Sequence, residues 1–146
     1  MRAAVLSIML GACSSGFKAA EAVGIYSVSW TCESASCPNL YFNEFINRLE
    51  VCGFEMNTGT LDMATESDLG VVYYRAIDST FTDGAIQGSF HEDERGMPIP
   101  TPRYLVEVVL VKDGENISST WHATPEADGT AASWSAAGER TPYECQ

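Results

Sequence analysis

The side chains whose types and spacing could do chemistry here are five cysteines, at 13, 32, 37, 52 and 145, and the run His91-Glu92-Asp93-Glu94. Cysteines do redox or metal work, or they staple. No Cys-x-x-Cys occurs, and Cys32 and Cys37 are spaced too widely for a thioredoxin-like pair. Leaving out Cys13, the other four form an even set suited to two disulfides in an oxidising compartment. Hard divalent cations take several carboxylate oxygens, which makes His91, Glu92, Asp93 and Glu94 a candidate binding loop. Adjacent acids in a loop are normally just solvated, so no metal is expected there. His122 is the one other histidine, and no zinc or EF-hand pattern surrounds either. Gly-x-Ser-x-Gly and phosphate-cradling glycine loops are absent. The expectation is no catalytic residue, no cofactor and no enzyme.

The N-terminus gives an address. Arg2 precedes an apolar run from Ala3 to Leu10, and Ser14-Ser15-Gly16 follows Cys13. That order is an export signal. Leu10-Gly11-Ala12-Cys13 resembles the lipobox of bacterial lipoproteins. The resemblance implies removal of residues 1–12, lipidation of Cys13 and a multiply acylated anchor. It also accounts for the odd cysteine. Ala20-Glu21-Ala22 offers a second reading, ordinary cleavage and secretion, but lies far from the apolar run with Lys18 and Glu21 between. A transmembrane helix needs about 20 apolar residues, and no stretch approaches that. The expected place is the bacterial outer membrane or cell surface, lipid-anchored, with secretion as the alternative.

Acids outnumber bases 20 to 8 in 146 residues, for a net charge of −12. Such a chain repels nucleic acid and anionic headgroups, which bind through Lys and Arg. The expected partners are the membrane, through the anchor, and a small apolar ligand or an envelope protein. Residues 13–22 read as a tether and 23–146 as one β-rich, disulfide-stapled domain.

The elements that must position these groups follow from periodicity. In Val23–Thr31, Tyr26, Val28 and Trp30 alternate with Ser27 and Ser29, a half-buried strand. Across 38–51 the period changes: Tyr41, Phe42, Phe45, Ile46 and Leu49 recur at helical spacing between Pro38 and Gly53, which predicts an amphipathic helix. Residues 54–68 are ambiguous, with a turn at Asn57-Thr58-Gly59. Asp83-Gly84 then centres a hairpin that pairs Thr82 with Ala85, Phe81 with Ile86 and Ile77 with Phe90. Asp113-Gly114 centres another, placing Leu110 opposite Ile117 and Val106 opposite Trp121, with His91 and His122 facing solvent. A turn near Ala127-Asp128-Gly129 sets Trp121 and Trp134 on one face. Pro98, Pro100 and Pro102 stiffen the long 91–102 connection.

The sum is mainly β: an antiparallel meander sheet or partly closed barrel with one amphipathic helix. Gly88-Ser89-Phe90, Ser119-Thr120-Trp121 and Ser133-Trp134 resemble strand endings of lipocalin-like small bacterial β-barrels over about the last 60 residues. The strand–helix–meander order is similar to cystatins, the α+β alternative, but their Gln-x-Val-x-Gly loop is absent. If 38–51 is helical, Cys37 and Cys52 stand about 22 Å apart, beyond the roughly 7 Å a disulfide allows. That leaves Cys32–Cys37 with Cys52–Cys145, or Cys32–Cys52 with Cys37–Cys145. The tight polar turn between Cys32 and Cys37 favours the first. The function expected is a lipid-anchored envelope protein with a β-rich binding domain. The alternatives are a protein-interaction lipoprotein without small ligand, and a secreted enzyme inhibitor. A pocket lined by Tyr26, Trp30, Tyr73 or Trp121 would favour a small ligand; a filled core would favour a protein partner.

Overall fold

Alternation of apolar and polar residues runs through most of the chain, and it closes on itself. The computed structural model describes residues 18–96 and 103–146. The apolar leader, Cys13 and the proline run at 98–102 lie outside them. Within the described residues the strands are β1 (Gly24–Cys32), β2 (Arg48–Val51), β3 (Thr58–Ser67), β4 (Gly70–Thr82), β5 (Ala85–Asp93), β6 (Arg103–Asp113), β7 (Asn116–Pro125) and β8 (Ala132–Arg140). Neighbours pair antiparallel in chain order, and β8 pairs back to β1, so the sheet is a closed barrel. Closure removes the exposed sheet edges that an open meander would leave. One end, the base, holds the starts of β1, β3, β5 and β7. The other, the rim, holds their ends.

The inward faces are those alternation marks. Tyr26, Leu49, Leu61, Ile77, Ile86, Val106, Leu110, Trp121 and Trp134 are buried. Trp121 and Trp134 are directly opposite, as expected. Gly138 stands where any Cβ would come within 2.6 Å of the Ile117 side chain, so glycine lets β7 and β8 close over that residue.

Three expectations are corrected. The 38–51 helix is only α1 (Tyr41–Phe45); from Ile46 the chain extends and becomes β2, paired on both sides. Leu49 and Val51 are fully buried in strand alternation, not in a helical stripe. With so short a helix and a closed barrel, the cystatin-like alternative falls. The β6–β7 register is two residues off: Val108 faces Trp121 and Leu110 faces Ser119. The turn centres on Gly114-Glu115, with Asp113 paired to Asn116. A shift of two preserves faces, so the expected core set stays inside. Finally, β4–β5 pairing runs only from Thr82↔Ala85 to Ser79↔Gly88, and Ile77 pairs with Leu61 instead of Phe90.

The disulfides are Cys32–Cys37 and Cys52–Cys145, with Cα separations of 6.1 and 5.5 Å. Ala19–Ala22, within the expected tether, forms a 3-10 turn at the base with Ala19 and Ala22 buried. Among the described residues no helix is long and apolar enough to cross a membrane.

Candidate functional site at the barrel rim

The early end of β4–β5 pairing builds the site. Toward the rim, β4 stays on β3 and β5 stays on β6. In β4 the register slips: Met63 faces Arg75 and Ala64 faces Tyr73, which leaves Tyr74 as a bulge. A bulge adds a residue and re-aims its neighbours. Here Tyr73 turns outward to the Glu50 carboxylate, while Tyr74 and Arg75 both reach Glu92.

Glu92 is buried. It continues the inward parity of Ile86 and Phe90 along β5. The Tyr74 hydroxyl donates to its Oε1. The Phe42 amide, in the first turn of α1, donates to Oε2 at 3.2 Å. Arg75 Nη2 lies 3.9 Å from Oε1. A carboxylate on the first-turn amides satisfies donors that no intrahelical carbonyl can reach, so Glu92 caps a helix from another element. Burial raises its pKa above the usual carboxylate range, against the opposing pull of Tyr74, the α1 amides and Arg75. Burial, then the Glu92 hydrogen bond, raises the Tyr74 phenol as well.

The Tyr41 ring stacks on Tyr74, 4.1 Å between centroids and 16° from parallel. The Arg75 guanidinium sits 5.2 Å from both the Tyr74 and Phe90 ring centres. Its Nε is buried with no hydrogen-bond partner among the described residues. A cavity of about 280 Å³ opens here, walled by Tyr41, Tyr74, Arg75, the whole run His91, Glu92, Asp93 and Glu94, Arg95 and Arg103. On its border Arg95 pairs with Glu44 at 3.4 Å and Arg103 with Asp93 at 3.4 Å, and His91 Nε2 lies 2.7 Å from Glu126. Beside it the β3–β4 hairpin presents Leu69, fully exposed, and Val72, with Phe45 held against Thr65 through its carbonyl.

The His91–Glu94 run is thus not a solvated loop. Strand alternation sends Glu92 inward and His91 and Asp93 outward, while all four border the rim cavity. No three ligand-type side chains converge among the described residues. The four aromatics of the expected pocket do not converge on one either. Trp121 and Tyr26 are fully buried, Trp30 packs on Phe42 and Trp121 at 5.1 and 4.8 Å, and Tyr73 is exposed on the outer wall. Phe42 also stands 4.9 Å from Trp134 and 6.0 Å from Phe90, so aromatic rings fill the upper barrel. His122 faces outward, hydrogen-bonded to Ser133. Sequence reasoning names Glu92 within the candidate binding loop but not as a buried group, although its parity with Ile86 and Phe90 marks it. It misses Tyr74 and Arg75, which the bulge brings in without a local signal.

No family model, curated protein or solved structure matches the chain.

Proposed function

We propose that the chain is a lipid-anchored protein of the bacterial cell envelope whose barrel is a non-catalytic module that meets a protein partner at its rim. The observation that supports this best is the aromatic packing inside the barrel. Among the described residues Phe42, Trp121 and Trp134 pack together at the upper axis, which leaves the outside of the rim as the surface for recognition. The rim has the composition of a protein contact, exposed apolar residues beside paired charges. Two disulfides suit a non-cytoplasmic place. The Lys18–Ala22 segment meets the barrel at the base, so an anchor at Cys13 would leave the rim pointing away from the bilayer.

Two measurements test this. Cys13→Ser should move the protein from the membrane to the soluble fraction with its fold intact; retention in the membrane would count against the anchor. A photo-crosslinker at position 69 should give one discrete envelope adduct that a crosslinker at position 83, on the base, does not. Equal adducts from both positions, or none, would remove the rim reading. A stoichiometric apolar molecule in the native mass spectrum would favour the small-ligand alternative.

A further inference from the structure

The arginines among the described residues are engaged, with one exception. Arg48 donates to Glu50 at 2.8 Å and to Glu66 at 3.1 Å. Arg140 gathers the Glu115, Val23 and Glu21 carbonyls and the Tyr26 hydroxyl. Arg95 has Glu44, and Arg103 has Asp93. Arg75, on the wall of the rim cavity, is different. A guanidinium carries several N–H donors in a fixed fork. Among the described residues Arg75 makes one long bond, 3.4 Å from Nη2 to the Tyr74 hydroxyl. The carboxylate in reach, Glu92 Oε1, stands 3.9 Å away, and Glu92 is already taken by the Tyr74 hydroxyl and the Phe42 amide. Nε is buried without an acceptor. The side chain is nonetheless 37 % exposed, so the guanidinium is open to the cavity.

Asp93, on the same wall, carries a matching vacancy. Its Oδ1 is buried without a hydrogen bond; Arg103 Nε lies 3.4 Å away but is not aligned for one. Among the described residues these are the two buried side-chain atoms left so, one a donor and one an acceptor, and both residues wall one cavity. Buried polar groups left without partners are costly and call for an explanation. A ligand that brings an acceptor and a donor side by side supplies both. The acceptor that best matches an arginine fork is planar and bidentate, a carboxylate. A dianion such as phosphate suits the site less. Glu92, Asp93 and Glu94 share the wall with Arg75, Arg95 and Arg103, so positive charge is not in surplus. A peptide C-terminus is a monoanion with an amide N–H beside it. An acidic side chain carries its carboxylate away from the backbone amide, and its flanking chain would have to enter with it.

We propose that the rim cavity binds the C-terminal carboxylate of the protein partner, seated on the Arg75 guanidinium with the last amide N–H directed to Asp93. This rests on the reading of the rim as a protein contact. The Tyr74 and Phe90 rings, each 5.2 Å from the guanidinium, fix its orientation before the ligand arrives. The stacked Tyr41 and Tyr74 rings form the adjoining wall and take the apolar part of the last side chain.

Hippurate (N-benzoylglycine) is a suitable probe: a carboxylate, an amide N–H beside it and a ring. Hippuramide is its neutral counterpart. Calorimetric titration of the full-length, oxidised protein should show saturable one-to-one binding of hippurate and none of hippuramide. Arg75→Lys keeps the charge but loses the fork, and should weaken hippurate about tenfold or more with an unchanged circular dichroism spectrum. Arg95→Lys, at an exposed and already paired arginine, should leave the affinity within about twofold. Saturating hippurate should also diminish the adduct formed by the photo-crosslinker at position 69. Equal binding of hippuramide, indifference to Arg75→Lys, or no saturation up to on the order of 10 mM would overturn the proposal. So would tighter binding of inorganic phosphate that displaces hippurate, or equal binding of N-acetylglutamic acid α-amide, because the seat would then take any oxyanion or any carboxylate. A position-69 adduct undiminished by hippurate overturns the carboxylate seat and leaves the rim contact standing. No adduct at all removes the rim contact, and the partner's terminus with it.

Discussion

Trp121 and His122 are neighbours in β7 with opposite surroundings. The Trp121 ring is fully buried against Trp30, Phe42 and Phe90, and its indole N–H donates to Ser119 at 2.8 Å. Trp121→Ala should cost about 3–5 kcal/mol, since it empties a packed site. His122→Ala should stay within about 0.5 kcal/mol; urea melts of the two proteins compare them directly. Glu92 gives a pH test. Its folded-state pKa is raised, so between its ordinary value of 4.5 and that higher value the folded protein holds more protons than the unfolded chain. Stability should therefore fall as pH rises through that window. Glu92→Gln keeps an acceptor for the Phe42 amide and offers the Tyr74 oxygen an amide NH2 to accept from, without the buried charge. It should abolish this slope and lie within about 1 kcal/mol of the parent, whereas Glu92→Ala should cost about 1–3 kcal/mol by orphaning those two groups. Melts at a series of pH values would show whether the slope belongs to Glu92. Parity along β5 made the burial of Glu92 legible from sequence. Its partners were not, because Tyr74 and Arg75 arrive through a bulge.

Among the elements, the two Asp-Gly turns show how far local sequence reaches. Asp83 and Gly84 both have positive φ, 55° and 78°, and centre their turn as expected. At the second, Gly114 has φ 64° and Glu115 does not, so the glycine comes first and Asp113 joins the strand. Both arrangements suit hairpins; the tie is broken by tertiary pairing across Trp121, which a two-residue window cannot see. No atom lies within 4 Å of where a Cβ on Gly114 would be. Gly114→Ala should thus cost about 1–2 kcal/mol through backbone strain alone, while Glu115→Ala should be near neutral in the same thermal melts. The helix expected over 38–51 stops at Phe45 for a related reason. Phe42, Ile46 and Leu49 sit at helical spacing, yet closing the barrel requires a strand between β1 and β3, and Arg48–Val51 supplies it. The favoured disulfide pairing holds on different ground. Cys32 ends β1 at the rim and Cys52 follows β2 at the base, so the barrel itself keeps them apart.

At the scale of the molecule, three ladders are short, with four residue pairs each: β1–β2, β2–β3 and β4–β5. The first two share β2, and Cys52 fixes its end covalently to the tail. The β4–β5 ladder has no such bond across it. A closed barrel has no free edge, so to breathe it must part along one line of hydrogen bonds, and the cheapest line is here. Ladder amides across Ser79–Thr82 and Ala85–Gly88 should exchange with deuterated water faster than those of β6–β7, which has ten pairs, because local opening follows the weakest cooperative unit. Equal protection in both ladders would mean that the barrel opens only by unfolding as a whole. Otherwise the cylinder works as a clasp: parted at that line it becomes an open sheet running β5-β6-β7-β8-β1-β2-β3-β4, with the Glu92 end of β5 and the Tyr74 bulge of β4 as its two free borders.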